Sequence, residues 1–203
     1  PTTAADATVR ARASSRETYH HDLAAEDMRR MAGTRGDALL AVQNLPGVGR
    51  TAFGQGAFIV RGSDPEDTLV TLDSQPIGLP FHFYGLATTV ATDLVDRIEF
   101  MPGNFSARWG RAAGGVINVS LRNPARDRPH VWADVDVIDA GVAATVPLGR
   151  RVTVMAGLRR SYVDALLAAF ASEAAGASFS RLPVYWDWQL AVDVEATARD
   201  HVR

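Results

Sequence analysis

No cysteine occurs among the 203 residues. Disulfides, thiolate nucleophiles and cysteine-ligated metals are excluded together. Long hydrophobic runs are also missing: the longest purely apolar stretch is Ala165 to Ala171, well short of the roughly 20 residues a membrane-spanning helix needs. That excludes a helical membrane protein but leaves a β-barrel open, because barrel strands alternate and never form such runs. Neither sign of charge is in excess. A formal net charge of -2 and a pI near 6.2 give no overall attraction to nucleic acid or anionic lipid. The chain begins at Pro1 without an initiator Met or a charged-then-apolar leader, so a processed or trimmed polypeptide is expected. What remains is 47% hydrophobic and 22% charged, too apolar for disorder and long enough for one domain or two.

Residues 1–19 have only Val9 and Tyr19 as sizeable apolar groups and read as a flexible arm. Asp22 before Leu23-Ala24-Ala25-Glu26 fits a helix N-cap, with the helix running to Met31 before Gly33. Thr34 is the expected cap of a second helix carrying Ala38, Ala41, Val42 and Leu45 at helical spacing, ended by Pro46-Gly47. The period then changes to two. Ala57 to Val60, Thr68 to Leu72, Asp96 to Met101 and Gly115 to Leu121 read as strands, with a short helix over Thr88 to Leu94. This is a compact α+β unit over 20–124.

Beyond Pro124 the strands lengthen. From Val184 to Ala196 every even position is apolar, while Asp187, Gln189, Asp193 and Glu195 occupy odd ones. Such a segment exceeds the mean globular strand of about 5–6 residues and matches the roughly 9–11 of a tilted membrane strand. Val131 to Val137, Val142 to Leu148 and Val152 to Leu158 alternate likewise, and Trp186 and Trp188 sit where an interfacial girdle would place them. A soluble antiparallel sheet with one wet face gives the same alternation.

Catalytic constellations are poor. His20-His21-Asp22 suggests a metal site only weakly, because adjacent side chains diverge. Asp64, Glu66 and Asp67 suit calcium or, more simply, a solvated turn around Pro65. Gly54-Gln55-Gly56 lacks the helix a phosphate loop requires, and no Gly-x-Ser-x-Gly elbow occurs. No enzyme activity, catalytic residue, metal or cofactor is expected. Pro80-Phe81-His82-Phe83-Tyr84-Gly85 gathers three aromatics and an imidazole in a turn, where they serve either to stack on a ligand or to pack on a wall.

Several stretches, in order, resemble the plug signatures of TonB-dependent outer-membrane receptors. Leu45-Pro46-Gly47-Val48, Phe58-Ile59-Val60-Arg61-Gly62 and Thr68 to Ile77 come first. Asp96-Arg97-Ile98-Glu99-Phe100-Met101-Pro102-Gly103, Trp109-Gly110 and Gly114-Gly115-Val116-Ile117-Asn118-Val119 follow. Such a plug threads through a barrel lumen, so Gly103, Gly110, Gly114 and Gly115 are expected to supply both positive φ and close backbone passage. Two departures stand out: Ser74 replaces a usual glycine, and Met101 stands where the family commonly has an arginine. The resemblance leaves Arg61 to pair with a barrel carboxylate, on a strand beyond Arg203.

The resemblance implies a mixed-sheet plug followed, over 125–203, by antiparallel strands that start a large transmembrane β-barrel. Four alternating segments are too few to close a cylinder, so an incomplete chain is expected. It implies energy-coupled uptake of an external ligand of unidentified chemistry, with no nucleic-acid partner. Ligand contacts fall on Arg50, Phe53, Asp64, Asp67, Phe81, His82, Phe83 and Tyr84. The arm pairs with TonB through Asp6, Ala7, Thr8 and Val9, and outer-membrane lipid surrounds the barrel. A soluble periplasmic binding or adaptor module, and an outer-membrane gate for protein secretion, are the competing readings.

Overall fold

The computed structural model describes residues 19–50, 56–82, 85–124, 126–165, 184–197 and 201–203. The first element is a strand, β1 (His21–Ala24), that passes directly into helix α1 (Ala25–Arg30). Asp22 is therefore not a helix cap: it lies in β1 opposite Glu99, and Ala24 at the N-cap makes no side-chain bond. Acidic Glu26 and Asp27 at its start and Arg29 and Arg30 at its end complement the dipole instead. Helix α2 (Ala38–Val42) is capped by Asp37, not Thr34. The Asp37 carboxylate accepts the amides of Leu39 at 3.0 Å and Leu40 at 3.2 Å. The Thr34 hydroxyl is spent on the preceding turn, donating to the Met31 carbonyl at 2.8 Å.

Short strands β2 (Val48–Arg50) and β3 (Phe58–Val60) pair antiparallel. A 3-10 turn at Pro65–Asp67 leads into β4 (Thr68–Leu72), which folds back on β5 (Gln75–Pro76). Next, β6 (Phe81–His82) pairs with β7 (Ala87–Thr88). Because Thr88 is held in that ladder, the helix expected over Thr88 to Leu94 shrinks to a 3-10 turn at Thr92–Leu94. The strands β8 (Val95–Met101) and β9 (Gly115–Leu121) complete a sheet of order β1-β8-β9-β4-β5, in which β4 and β9 run parallel and the rest antiparallel.

This mixed sheet packs its apolar side chains on α1 and α2. Ile98, Phe100, Ile117 and Val119 meet Met28, Leu39 and Val42 in one cluster. Burial of each such side chain stabilises by about 1.5–3 kcal/mol. Two turns need their residue types. A Cβ on Gly115 would lie 2.9 Å from Val60 Cγ1, and one on Gly114 would overlap Ser63, so β9 can cross β3 only as bare backbone. Gly110, by contrast, has open space around it and no positive φ. At the β4–β5 turn, Asp73 (φ 46°) and Ser74 (φ 68°) both adopt left-handed backbone, the two-residue geometry that matches strand twist and ordinarily recruits glycine.

The second sheet is built differently. It runs β10 (His130–Val135), β11 (Asp139–Pro147), β12 (Val152–Ser161), β13 (Trp186–Glu195) and β14 (His201–Val202) in sequential antiparallel order. Its outward rows read Val135, Ala140, Arg160, Trp186; then Ala133, Val142, Leu158, Trp188; then Val131, Ala144, Ala156, Leu190. Val131, Val135, Trp188 and Leu190 on this face are 67%, 75%, 75% and 62% exposed. The opposite face holds the polar side chains and leans on the mixed sheet. Leu94 of the 3-10 turn presses on Ala143, Met155 and Gly157 there. A sheet with its oily side out and its wet side in is the inverse of a soluble one. No helix among the described residues is long and apolar enough to cross a membrane.

Candidate functional site: the seam between plug and wall

The odd positions of the alternating strands, visible in sequence only as a wet face, form a connected polar seam. Asp187 of β13 is its centre. Its Oδ1 lies 2.5 Å from His82 Nε2, and its Oδ2 accepts Arg159 Nη2 at 2.6 Å. Arg159 also donates to the backbone carbonyl of Thr88 and stands 3.8 Å from Asp139. Tyr185 stacks on the His82 ring at 4.4 Å and donates its hydroxyl to Asp139. The side chains of Asp187, Asp139 and Arg159 are only 11%, 6% and 14% exposed, so each charge depends on its neighbours.

From Thr88 the seam continues into the plug. The Thr88 amide and hydroxyl both donate to the Asp37 carboxylate, at 3.1 Å and 2.7 Å, while the same carboxylate caps α2. Burial holds the Asp37 carboxyl above its ordinary range, against the opposing pull of the Thr88 and Leu40 hydrogen bonds. One residue along, Gln189 reads the plug backbone: its Nε2 donates to the Thr89 carbonyl at 2.9 Å and its Oε1 accepts the Ala91 amide at 3.2 Å. At the far end, Arg203 reaches Asp73 at 2.8 Å, and Arg126 bridges Asp193 and Glu195 at 2.5 Å each. Beside Asp37 lies a crevice of about 160 Å³ lined by Arg35, Asp136, Asp139 and Arg159.

The sequence-derived ligand positions are distributed unevenly around this seam. His82 is engaged by Asp187 and Tyr185. Phe81 is buried, its ring 4.9 Å from that of Phe58. Asp64 and Asp67 bracket the 3-10 turn, and the Asp67 carbonyl accepts the amides of Ala113 and Gly114 at 3.0 Å, fixing the entry to β9. A groove of about 990 Å³ opens alongside, between Glu66, Ile77, Leu79 and Trp109. Arg50 belongs to β2 by its backbone. Its side chain, together with Phe53, Phe83, Tyr84 and the arm residues Asp6, Ala7, Thr8 and Val9, lies outside the described residues. Arg61 is exposed, with its guanidinium 5.5 Å from the Tyr19 ring centre. Among the described residues, no group of three or more His, Asp or Glu side chains is arranged to hold a metal ion.

Sequence reasoning put His82 forward for ligand contact and did not single out the seam residues that engage it. Asp187, Arg159, Gln189, Thr88 and Asp37 make the seam, and the one signal that marked any of them was the polar phase of the long strands.

Comparison with known proteins agrees with this geometry. The family model described as TonB-dependent Receptor Plug Domain matches residues 14–116. The Ferric enterobactin receptor PirA of Pseudomonas aeruginosa is 31% identical over 120 residues, 50% of this chain and 16% of that protein. The Ferrienterobactin receptor of Escherichia coli is 29% identical over 128 residues, 54% of this chain and 17% of that protein. The chain thus spans about a sixth of the length of these relatives. Among solved structures, the Copper transporter OprC superposes with a TM-score of 0.58 at 12% identity, covering 86% of this chain and 28% of that one. The Ferric-Catecholate import receptor Fiu of E. coli K12 gives 0.50 at 19% identity, covering 70% and 21%. With the plug model matched over half of its length and an inside-out wall following, this chain belongs to the TonB-dependent receptors of the outer membrane.

Proposed function

We propose that the chain supplies the plug and wall strands of a receptor that imports an anionic ferric siderophore of the enterobactin class, driven through TonB. The observation that carries this reading is the wall sheet itself: its apolar rows face outward while its polar face grips the plug through Asp187, Arg159 and Gln189. The relatives named as enterobactin receptors supply the ligand class.

Ligand contact is assigned to Arg50, Phe53, Phe83 and Tyr84, the aromatic rings serving to stack on the chelate. A guanidinium suits the anionic chelate. Asp6, Ala7, Thr8 and Val9 form the strand that TonB pairs with by main-chain bonds, and Arg61 meets a wall carboxylate. Outer-membrane lipid covers the apolar rows. The exposed apolar face disfavours a soluble periplasmic module.

Uptake of radiolabelled iron presented as ferric enterobactin tests both halves. Replacing Phe83 and Tyr84 by Ala should lower affinity by about 5- to 150-fold, at roughly 0.5–1.5 kcal/mol per ring. Deleting residues 1–12 should abolish uptake yet leave binding intact. Unchanged affinity in the first variant, or undiminished uptake in the second, removes the corresponding half.

A further inference from the structure

Among the described outward positions of β10 to β13, Arg160 bears the single formal charge. It lies in the row of Val135, Ala140 and Trp186, at one rim of the apolar band. Its neighbour Arg159 faces inward and satisfies the seam, so the seam does not account for a second arginine. The Arg160 guanidinium stands 5.2 Å from the centre of the Trp186 ring, its register partner. One nitrogen reaches Asp164 at 3.4 Å, and the side chain is still 45% exposed. A guanidinium has five N–H donors; Asp164 takes one.

The rim can be identified. Residues 148–151 join β11 to β12 at the opposite end, while 136–138 join β10 to β11 and 162–185, much the longest of the three connections, join β12 to β13 at the end where Arg160 lies. Barrels of this kind keep short turns on the periplasmic side and longer loops outside, so Arg160 sits at the external headgroup level. A charge is expelled from mid-band but tolerated at this depth, where its stem can lie along apolar surface. A planar fork steadied by an aromatic face and one carboxylate matches the oxygens of a phosphate. The net charge of -2 exerts no general pull on anions, so any such recognition is local.

We propose that Arg160, held by Trp186 and Asp164, binds the phosphate of a phosphate-bearing lipid in the external leaflet. The inference rests on the membrane reading above and refines it to one headgroup site.

Native mass spectrometry of the intact protein, released from nanodiscs containing lipid A in bisphosphorylated or dephosphorylated form, reads the site directly. The wild type should retain the phosphorylated lipid about tenfold more than the dephosphorylated one, the scale of a hydrogen bond to a charged group. Arg160→Gln should erase that preference. Trp186→Leu, which keeps the face apolar, should lower it by about twofold, and Arg150→Gln in the opposite turn should leave it intact. Arg160→Lys serves if the Gln variant does not assemble, and should retain less than the wild type. Equal retention by wild type and the Arg160 variants overturns the proposal. Displacement of the lipid by inorganic phosphate alone overturns the lipid assignment in favour of a free-phosphate site. Insertion is read separately by heat-modifiable gel mobility: a protein that inserts but does not discriminate refutes this inference alone, whereas one that never inserts refutes the membrane reading.

Discussion

The two sheets of this chain use the same alternation for opposite ends. In the mixed sheet, Ile98, Phe100, Ile117 and Val119 point inward and are fully covered. In the wall, Val131, Trp188 and Leu190 point outward and are bare, while Asp193, Thr145 and Thr153 are hidden. The difference shows that period alone fixes which residues share a face, and the medium on each side fixes which face is buried. One sheet turns its apolar face onto α1 and α2; the other turns its polar face to the plug and leaves its apolar rows bare.

The comparison can be broken most severely in the plug. Phe100→Ala should destabilise it by about 3–5 kcal/mol, seen as accelerated hydrogen exchange across β8 and β9 with the wall strands unaffected. Next comes Leu190→Arg, which places a charge in the third outward row. At about 2–4 kcal/mol near the midplane, it should reduce membrane assembly, monitored by the folded fraction in liposomes. The same substitution at Leu190 would be harmless if that face met water, so normal assembly would refute the inside-out assignment.

A third test uses Asp37. Its folded pKa is raised above the unfolded value of 3.8, so the plug binds this proton more tightly than the unfolded chain does. The stabilisation that follows is complete below the unfolded value and lost as pH rises through the raised one. After correction for intrinsic rates, protection of the Leu39, Leu40 and Thr88 amides should grow on acidification, and Asp37→Asn should flatten that trend. The smallest expected effect is a gain. Ser74→Gly relieves a left-handed residue at the β4–β5 turn and should add about 1 kcal/mol, measured by the urea midpoint.

Much of the architecture was legible because it is local. Thr68 to Leu72 and Gly115 to Leu121 were read with the bounds they have, and β8 differs by one residue at its start. The long wall strands announced themselves by phase. What failed was decided at a distance. Asp22 carries a sound capping signature, yet the ladder with Glu99 claims it for β1. Thr34 and Asp37 are both good caps three residues apart, and the carboxylate prevails because it accepts two helix amides while the Thr34 hydroxyl is drawn to Met31. The seam was the least legible part. His82 and Asp187 are 105 positions apart, and no periodicity pairs a particular polar residue of a wall strand with a particular turn of the plug.

Strands β12 and β13 are each 10 residues long, and that length acts as a ruler. At about 3.4 Å per residue and a tilt of about 40°, each measures about 26 Å along the bilayer normal. Hydrocarbon about 30 Å thick would leave the ends of such strands stranded among acyl chains, whereas the thinner outer membrane fits them. A count of peptide units between two turns thus sets the bilayer thickness that this wall matches with least distortion.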